Sequence, residues 1–531
     1  MSSTFRSGRY GYLPSICWIL FLGCLAACTC TTSAFAQQDL RTKGPTPVTD
    51  NGWKEIQPVL QAELQEFVDS QKRIPGQSSK IDVRVAYNRA ENKIIIDLGD
   101  GYIPKGMKVF SDKLGDALDE VSRKGHSLVS GILDVELVTL RFNGKSISEI
   151  FPEDFPASQN SKKKVTKAAT AISPPVVINP GHGIYYHHGY NDWRFQRDTF
   201  FGVLEDTTTS TYAQALSTYL LARNSSVVKE VKYTRSMDYM SVDSESNYTM
   251  YKMASRYYLK GLYPNEGPTM WNLFPNGTGD PERYNLREQD DDIAARPLYA
   301  NFINASTLLS IHTNASSDAT VRGTTVWVQP DVPVSAQLGN RVLCYMKEQI
   351  HSVPGYENFE VAPLVGELNK GENRRAKMPA IIVEVAYHTN ADDAAALLDS
   401  NFKQAAMRGV EKGFRKQDQP CTPFAITSIP TVTSQFNKTF YIPVVYAGFP
   451  TFPLTSKTIL DSCTTGWDCS PVTRILYADS GNNTINIDRK CTTYDANPAP
   501  ATFSGRTTIT DGDGVVTAAF NHTYTCSKAA P

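Results

Sequence analysis

His182, His312 and Glu384 each stand at the end of an apolar run, and together they could hold a metal and move a proton. The runs are Val176-Val177-Ile178-Asn179-Pro180-Gly181-His182-Gly183, Leu308-Leu309-Ser310-Ile311-His312-Thr313-Asn314-Ala315 and Pro379-Ala380-Ile381-Ile382-Val383-Glu384-Val385-Ala386-Tyr387. Such β-branched stretches read as buried parallel strands, and the residue at the carboxyl end of such a strand faces the crevice where ligands bind. A hydrolytic zinc takes three ligands from His and Asp or Glu and keeps one position for water, whose pKa falls to about 7. Glu205, just ahead of Asp206-Thr207-Thr208, offers the third ligand. Asp206 is its rival, although it also suits the cap of the following helix. His182 lies between two glycines, which let the backbone turn tightly. Glu384 is buried on its strand but open at the crevice, a setting that raises a carboxyl pKa toward that of a useful base. His187-His188 is a competing ligand pair, but adjacent loop residues point apart; His126, His351 and His522 read as structural or surface residues.

The elements that must position these groups alternate from Val176 to Lys416. Strands are expected at Val176–Asn179, Val231–Thr234, Leu308–Asn314, Thr324–Val328 and Ala380–Ala386, and helices at Thr207–Arg223, Asp291–Asn304, Ser335–His351 and Phe402–Phe414. The pattern calls for an α/β domain, a twisted and mostly parallel sheet with helices on both faces. Ahead of it, a small α/β module over 49–156 is expected, with helices at Trp53–Ser70 and Ser111–Lys124 and strands around Ile81–Val85, Ile94–Ile96 and Val135–Phe142. The stretch 157–174, with Lys162, Lys163, Lys164 and Lys167, reads as an exposed linker. A β-rich module is expected over 428–531, where short β-branched runs alternate with Thr, Asn and Gly.

At 531 residues the chain exceeds one core. Its 53 Lys and Arg against 54 Asp and Glu remove any global electrostatic case for nucleic acid. Residues 1–36 read as an export signal: Arg6 and Arg9, a short apolar stretch, then Ala34-Phe35-Ala36. A rival reading is a lipobox at Leu25-Ala26-Ala27-Cys28, in which Cys28 is acylated and attaches the protein to a membrane. The expected location is thus outside the cytoplasm, in the periplasm or cell envelope. In an exported chain Cys421, Cys463, Cys469, Cys491 and Cys526 suggest disulfides, with Cys463–Cys469 and Cys491–Cys526 as the expected pairs and Cys344 as a buried free thiol.

The segments Val176–Gly183, Glu205–Leu221, Tyr233-Thr234-Arg235, Arg296–Ala315 and Met378–Asn390 resemble the zinc-dependent N-acetylmuramoyl-L-alanine amidases of bacterial cell walls. That family shows a strand ending in Pro-Gly-His-Gly, a Glu opening the next helix, a Ser-Ile-His-x-Asn-Ala strand and a Pro-Ala-x-x-Val-Glu strand. The likeness covers about Pro175 to Gln417. It implies that His182, Glu205 and His312 bind Zn2+, that Glu384 is the acid/base, and that the substrate is the muramic acid–L-alanine amide of peptidoglycan. The long loop Gly183–Glu205, Asp206 where a lysine is common, and the insertion Ser241–Asp292 depart from the family. The insertion carries Tyr248, Tyr251, Tyr257, Tyr258, Tyr263, Trp271, Phe274 and Tyr284, which suit a glycan-binding lip or a helical lid with Tyr251, Ala254 and Tyr258 on one face. Two other readings stay open: a zinc peptidase on wall peptides, and a non-catalytic wall-binding protein.

Overall fold

The computed structural model describes residues 46–108, 110–129, 133–135, 137–152, 173–278 and 281–528. The expected signal, Cys28 and most of the 157–174 linker lie outside them. The N-terminal module comprises α1 (Asp50–Ser70), β1 (Arg84–Asn88), β2 (Lys93–Asp97), α2 (Asp112–Val129) and β3 (Leu137–Arg141). Thr49 caps α1 by accepting from Gly52 N (3.1 Å), and Leu60, Leu64 and Val68 form its buried stripe. The next region runs β4 (Val176–Pro180), α3 (Glu205–Arg223), β5 (Val231–Tyr233), α4 (Ser255–Leu262), α5 (Arg287–Phe302), β6 (Thr307–Asn314), β7 (Thr325–Val328), α6 (Pro333–His351), β8 (Gly366–Glu367), α7 (Gly371–Arg374), β9 (Ala380–Tyr387), α8 (Ala391–Leu398) and α9 (Ser400–Arg415).

One nine-stranded sheet runs through both regions in the order β1-β2-β3-β8-β7-β9-β6-β4-β5. Its pairings are parallel except β1–β2 and β7–β9. The two regions join at β3–β8, where Val138 pairs with Gly366 and Thr139 Oγ1 donates to Glu367. Trp327, Leu368 and Ile382 pack in the same core as Leu114, Leu118 and Val121 of α2.

Side-chain alternation decides what each face carries. Leu309, Ile311, Ile381, Val383 and Val385 enter a core built with α3, α6 and α9. The even-numbered residues of β6 and β9 project from the other face, where Leu308 and Ala380 pack with Leu259, Ala295 and Tyr299, and Ile382 packs with the N-terminal module. His312 and Glu384 continue this second series. The insertion covers part of the same face, but not with the expected helix. Tyr251 lies in a 3-10 turn, Met250–Lys252, and α4 begins only at Ser255. Ala254 is extended because its N–H is taken by Ile184 O (2.9 Å), while Ile184 N donates to Lys252 O (2.7 Å).

Beyond α9 two antiparallel-rich sheets enclose a separate core containing Phe440, Ile442, Val444, Ile487, Phe503 and Tyr524. One has three strands and the other five. Cys463–Cys469 and Cys491–Cys526 are bonded there. Cys344 is not a free thiol: it is bonded to Cys421. Cys344 is half-buried on α6, and the chain leaving α9 runs along α6, with Gln337 donating to Gln417 O and Phe424 N donating to Glu348, which brings Cys421 to it. Among the described residues no helix is long and apolar enough to cross a membrane.

Candidate metal centre

The turn after β4 positions the first candidate ligand. His182 has φ 61° and Gly183 φ +128°, both in the left-handed region that glycine enters freely and histidine only at some cost. A Cβ on Gly181 would lie 2.3 Å from His312 Cε1, so the glycine lets the imidazole lie against the backbone. Arg235, fully buried, donates to Gly181 O, Asp206 O and Tyr251 O (2.7 Å each), tying the turn to the start of α3 and to the insertion.

His182 Nε2 lies 3.2 Å from Glu205 Oε1, His312 Nδ1 lies 3.1 Å from the same oxygen, and the two ring nitrogens are 3.1 Å apart. Ligand atoms about 2.0 Å from a tetrahedral metal stand about 3.3 Å from one another, so this triangle has the right size for one face of a zinc tetrahedron. Among the described residues it is the one His/Cys/Asp/Glu group that could hold a metal ion. Asp206 does not compete. Its carboxylate accepts from Gly183 N (2.9 Å), Gln196 N (2.8 Å) and Arg197 N (3.1 Å), and so organises the Gly183–Glu205 loop. His188 is held by Glu288 and Arg287, and His187 accepts from Gly189 N.

Each imidazole has a partner that leaves its inner nitrogen free for a metal. His182 Nδ1 donates to Gln196 Oε1 (3.0 Å), whose amide donates to Asp292 Oδ2 (2.9 Å). His312 Nε2 donates to Glu372 Oε2 (3.1 Å), which also accepts from Asn179 Nδ2 (2.7 Å). Arg296, without exposed surface, pairs with both Asp292 and Glu372. Sequence reasoning missed Gln196, Asp292, Arg296 and Glu372 as parts of the site. Glu372 sits in Lys370-Gly371-Glu372-Asn373-Arg374-Arg375, and Asp292 closes an acidic triplet; neither follows an apolar run that would mark it as facing inward.

The site favours positive charge. Burial disfavours the Glu205 carboxylate, but His182 and His312 outweigh this and hold its pKa well below the usual range. Burial likewise opposes Glu372, and Arg296 and then His312 hold it far down. Burial pulls His312 down, yet Glu372 and a hydrogen bond to Glu205 push it up to about 10. Glu384 pairs in register with His312 and is half-buried, and its Oε2 is enclosed without a hydrogen bond. Burial pushes its pKa up to about 7, with attraction from His312 opposing and repulsion from Glu205 assisting.

Fold and site therefore define a class: an α/β domain with a buried His-Glu-His group that could hold a metal ion, beside a carboxylate whose Oε2 has no partner. Residues 278–416 match the family model described as N-acetylmuramoyl-L-alanine amidase. The match holds His312, Glu372 and Glu384; the fold brings His182 and Glu205 to them. Among solved structures, the chain is similar to the catalytic domain of CwlV, N-acetylmuramoyl-L-alanine amidase from Bacillus (Paenibacillus) polymyxa var. colistinus (18% identity, 45% of this chain and 95% of that one, TM-score 0.27). It is also similar to the amidase AmiC2 of Nostoc punctiforme (16%, 46% and 97%, TM-score 0.29). A third is the CwlD amidase from Clostridioides difficile, solved in complex with the GerS lipoprotein (18%, 46% and 98%, TM-score 0.27). Comparison with curated proteins gives no match.

Proposed function

We propose that the chain is a zinc-dependent amidase that cleaves the bond between the lactyl group of N-acetylmuramic acid and L-alanine in peptidoglycan. The observation that carries the reading is the 3.1–3.2 Å triangle of His182, Glu205 and His312 beside the unpartnered Glu384 Oε2. His182 Nε2, Glu205 Oε1 and His312 Nδ1 would hold the metal. Zinc there would polarise the scissile carbonyl and lower the pKa of a nearby water. Glu384 accepts the proton of the attacking water at Oε2 and returns it to the leaving amine nitrogen. Gln196 and Glu372 keep both imidazoles oriented, and Asp206 holds the 183–197 loop over the site. A peptidoglycan substrate puts the working location in the cell envelope or outside the cell.

The test is to incubate the full chain, zinc-loaded and chelator-treated, with muropeptides and with the corresponding free peptides. Release of L-alanine-terminated peptide from muropeptides by the zinc-loaded chain is expected. Hydrolysis of free peptides alone would replace this reading with a peptidase, and no turnover of either would leave a binding protein.

A further inference from the structure

Arg197 puts a positive charge beside a centre that suits a metal ion. It lies in the loop that joins the hairpin strands Tyr185–His187 and Asp192–Arg194 to α3. Its Nε stands 3.6 Å from Glu205 Oε2, and its side chain is 40% exposed while that of Glu205 is buried. At that distance the contact is an ion pair and not a hydrogen bond. Nη1 donates to Gln196 O (3.2 Å), and Nη2 has no hydrogen-bond partner among the described residues.

Glu205 does not need this neighbour. Its Oε1 already accepts from Thr313 N (2.9 Å) and meets both imidazoles of the triad. Nor would a metal ion gain from it, since like charges this close repel, and more strongly where water is excluded. The loop nevertheless fixes the residue there. Arg197 N donates to Asp206 Oδ2 (3.1 Å), and Gln196 N to Asp206 Oδ1 (2.8 Å). Gln196 in turn holds His182 through Nδ1 (3.0 Å), so adjacent residues orient a candidate ligand and set a cation at the rim. A guanidinium with an unbonded, solvent-facing edge is placed to meet a second negative charge, one that the substrate brings.

The proposed reaction supplies it. When water adds to the scissile carbonyl carbon, the C=O electron pair moves onto the carbonyl oxygen. The charge stays there until the C–N bond breaks and Glu384 returns its proton to the leaving nitrogen. We infer that Arg197 is a further catalytic residue, whose exposed guanidinium edge donates to this oxyanion; this role rests on the amidase reading above. Arginine suits it because the side chain stays protonated and presents its N–H groups in a fixed fork. Donors held in place before the charge forms act on the transition state more than on the bound substrate.

The full chain, zinc-loaded, would be assayed on a muropeptide, unsubstituted and as Arg197→Met and Arg197→Lys, with the zinc affinity of each measured in competition with a chelator. Methionine keeps an unbranched stem and leaves the backbone bonds to Asp206 in place. It is expected to lower kcat about 10²- to 10³-fold, with KM within about threefold and zinc bound at least as tightly as before. Lysine, which restores the charge without the fork, should recover part of kcat. A kcat within twofold of the unsubstituted chain in Arg197→Met would overturn the role. So would a raised KM with kcat unchanged, the mark of a ground-state contact to a substrate carboxylate. Weaker zinc binding in step with lost activity would also overturn it, because Arg197 would then act as a support of Glu205. An unsubstituted chain that hydrolyses free peptides but no muropeptide would overturn the amidase reading itself, and the role on the muramyl amide with it.

Discussion

Arg296 reaches both imidazoles of the triad without touching either. Through Asp292 and Gln196 it steadies His182, and through Glu372 it steadies His312. Removing it would take the guanidinium from two buried carboxylates at once, a change that destabilises the fold as well as the site. Glu372→Gln is the cleaner probe, because it keeps the shape and weakens only the charge behind His312. Zinc affinity should drop about 10- to 100-fold in a competition with a chelator; an unchanged affinity would show that the hydrogen bond to His312 does not tune the ligand. Glu384→Gln should act differently, retaining zinc while kcat falls about 10²- to 10⁴-fold, since the amide cannot accept a proton. On the proposed mechanism Glu384 must be ionised to act as the base, and its pKa is pushed up to about 7. A cation at the triad favours the carboxylate further, so kcat/KM should rise with pH along an acid limb at or below about 7, and the limb should vanish in the glutamine variant. His182, Glu205, His312 and Glu384 stood out in the sequence because each follows or interrupts an apolar run or opens a helix, and the fold brings the four side by side. Glu372 and Asp292 did not stand out, since charged residues in polar runs carry no mark of pointing inward.

At the scale of elements, β4, β6 and β9 were legible because runs buried on both faces are apolar and rich in β-branched residues. Strand β8 was not: two residues, Gly366 and Glu367, carry no periodicity, and they make the join to the N-terminal module. A Cβ on Gly366 would meet the Trp327 ring at 2.0 Å, so the join also needs glycine at that place. Glu367 is buried with Thr139 as its donor, and burial pushes its pKa up to about 7, from an ordinary 4.5. Its folded-state pKa is raised, so the native chain binds this proton more tightly than the unfolded one. Stability from this group therefore falls as pH rises from about 4.5 to about 7 and stays low above that. Glu367→Gln, which can still accept from Thr139, should be more stable than the parent at pH 8 by up to about 3 kcal/mol and should lose that advantage near pH 4. Urea unfolding at the two pH values measures it. An equal difference at both would mean that Glu367 does not titrate on unfolding.

On the scale of the whole molecule, the catalytic core and the C-terminal core share no residue among those described. What crosses between them is polar: Arg223 pairs with Asp513 (2.6 Å), and Glu348, which also pairs with Lys412 of α9, accepts from Phe424 N (3.0 Å). The Arg223–Asp513 pair is bidentate and largely buried, but the two apolar cores stay separate, so we propose that the C-terminal module melts by itself. The disulfides divide the same way. Cys344–Cys421 spans 77 residues that include β8, β9, α8 and α9, and Cys491–Cys526 spans 35 within the C-terminal core. Each closes a loop whose loss costs roughly 4 kcal/mol in the chain-entropy account. Replacing Cys344 and Cys421 by alanine should lower the melting transition that carries zinc and activity, while leaving the other in place. Replacing Cys491 and Cys526 should do the reverse, opening protease sites beyond Gln419 while zinc content and muropeptide hydrolysis at 25 °C persist. Calorimetry of the two double variants distinguishes these outcomes. A single transition that both pairs lower alike, with activity lost in step, would mean that the polar seam joins the two cores into one cooperative unit.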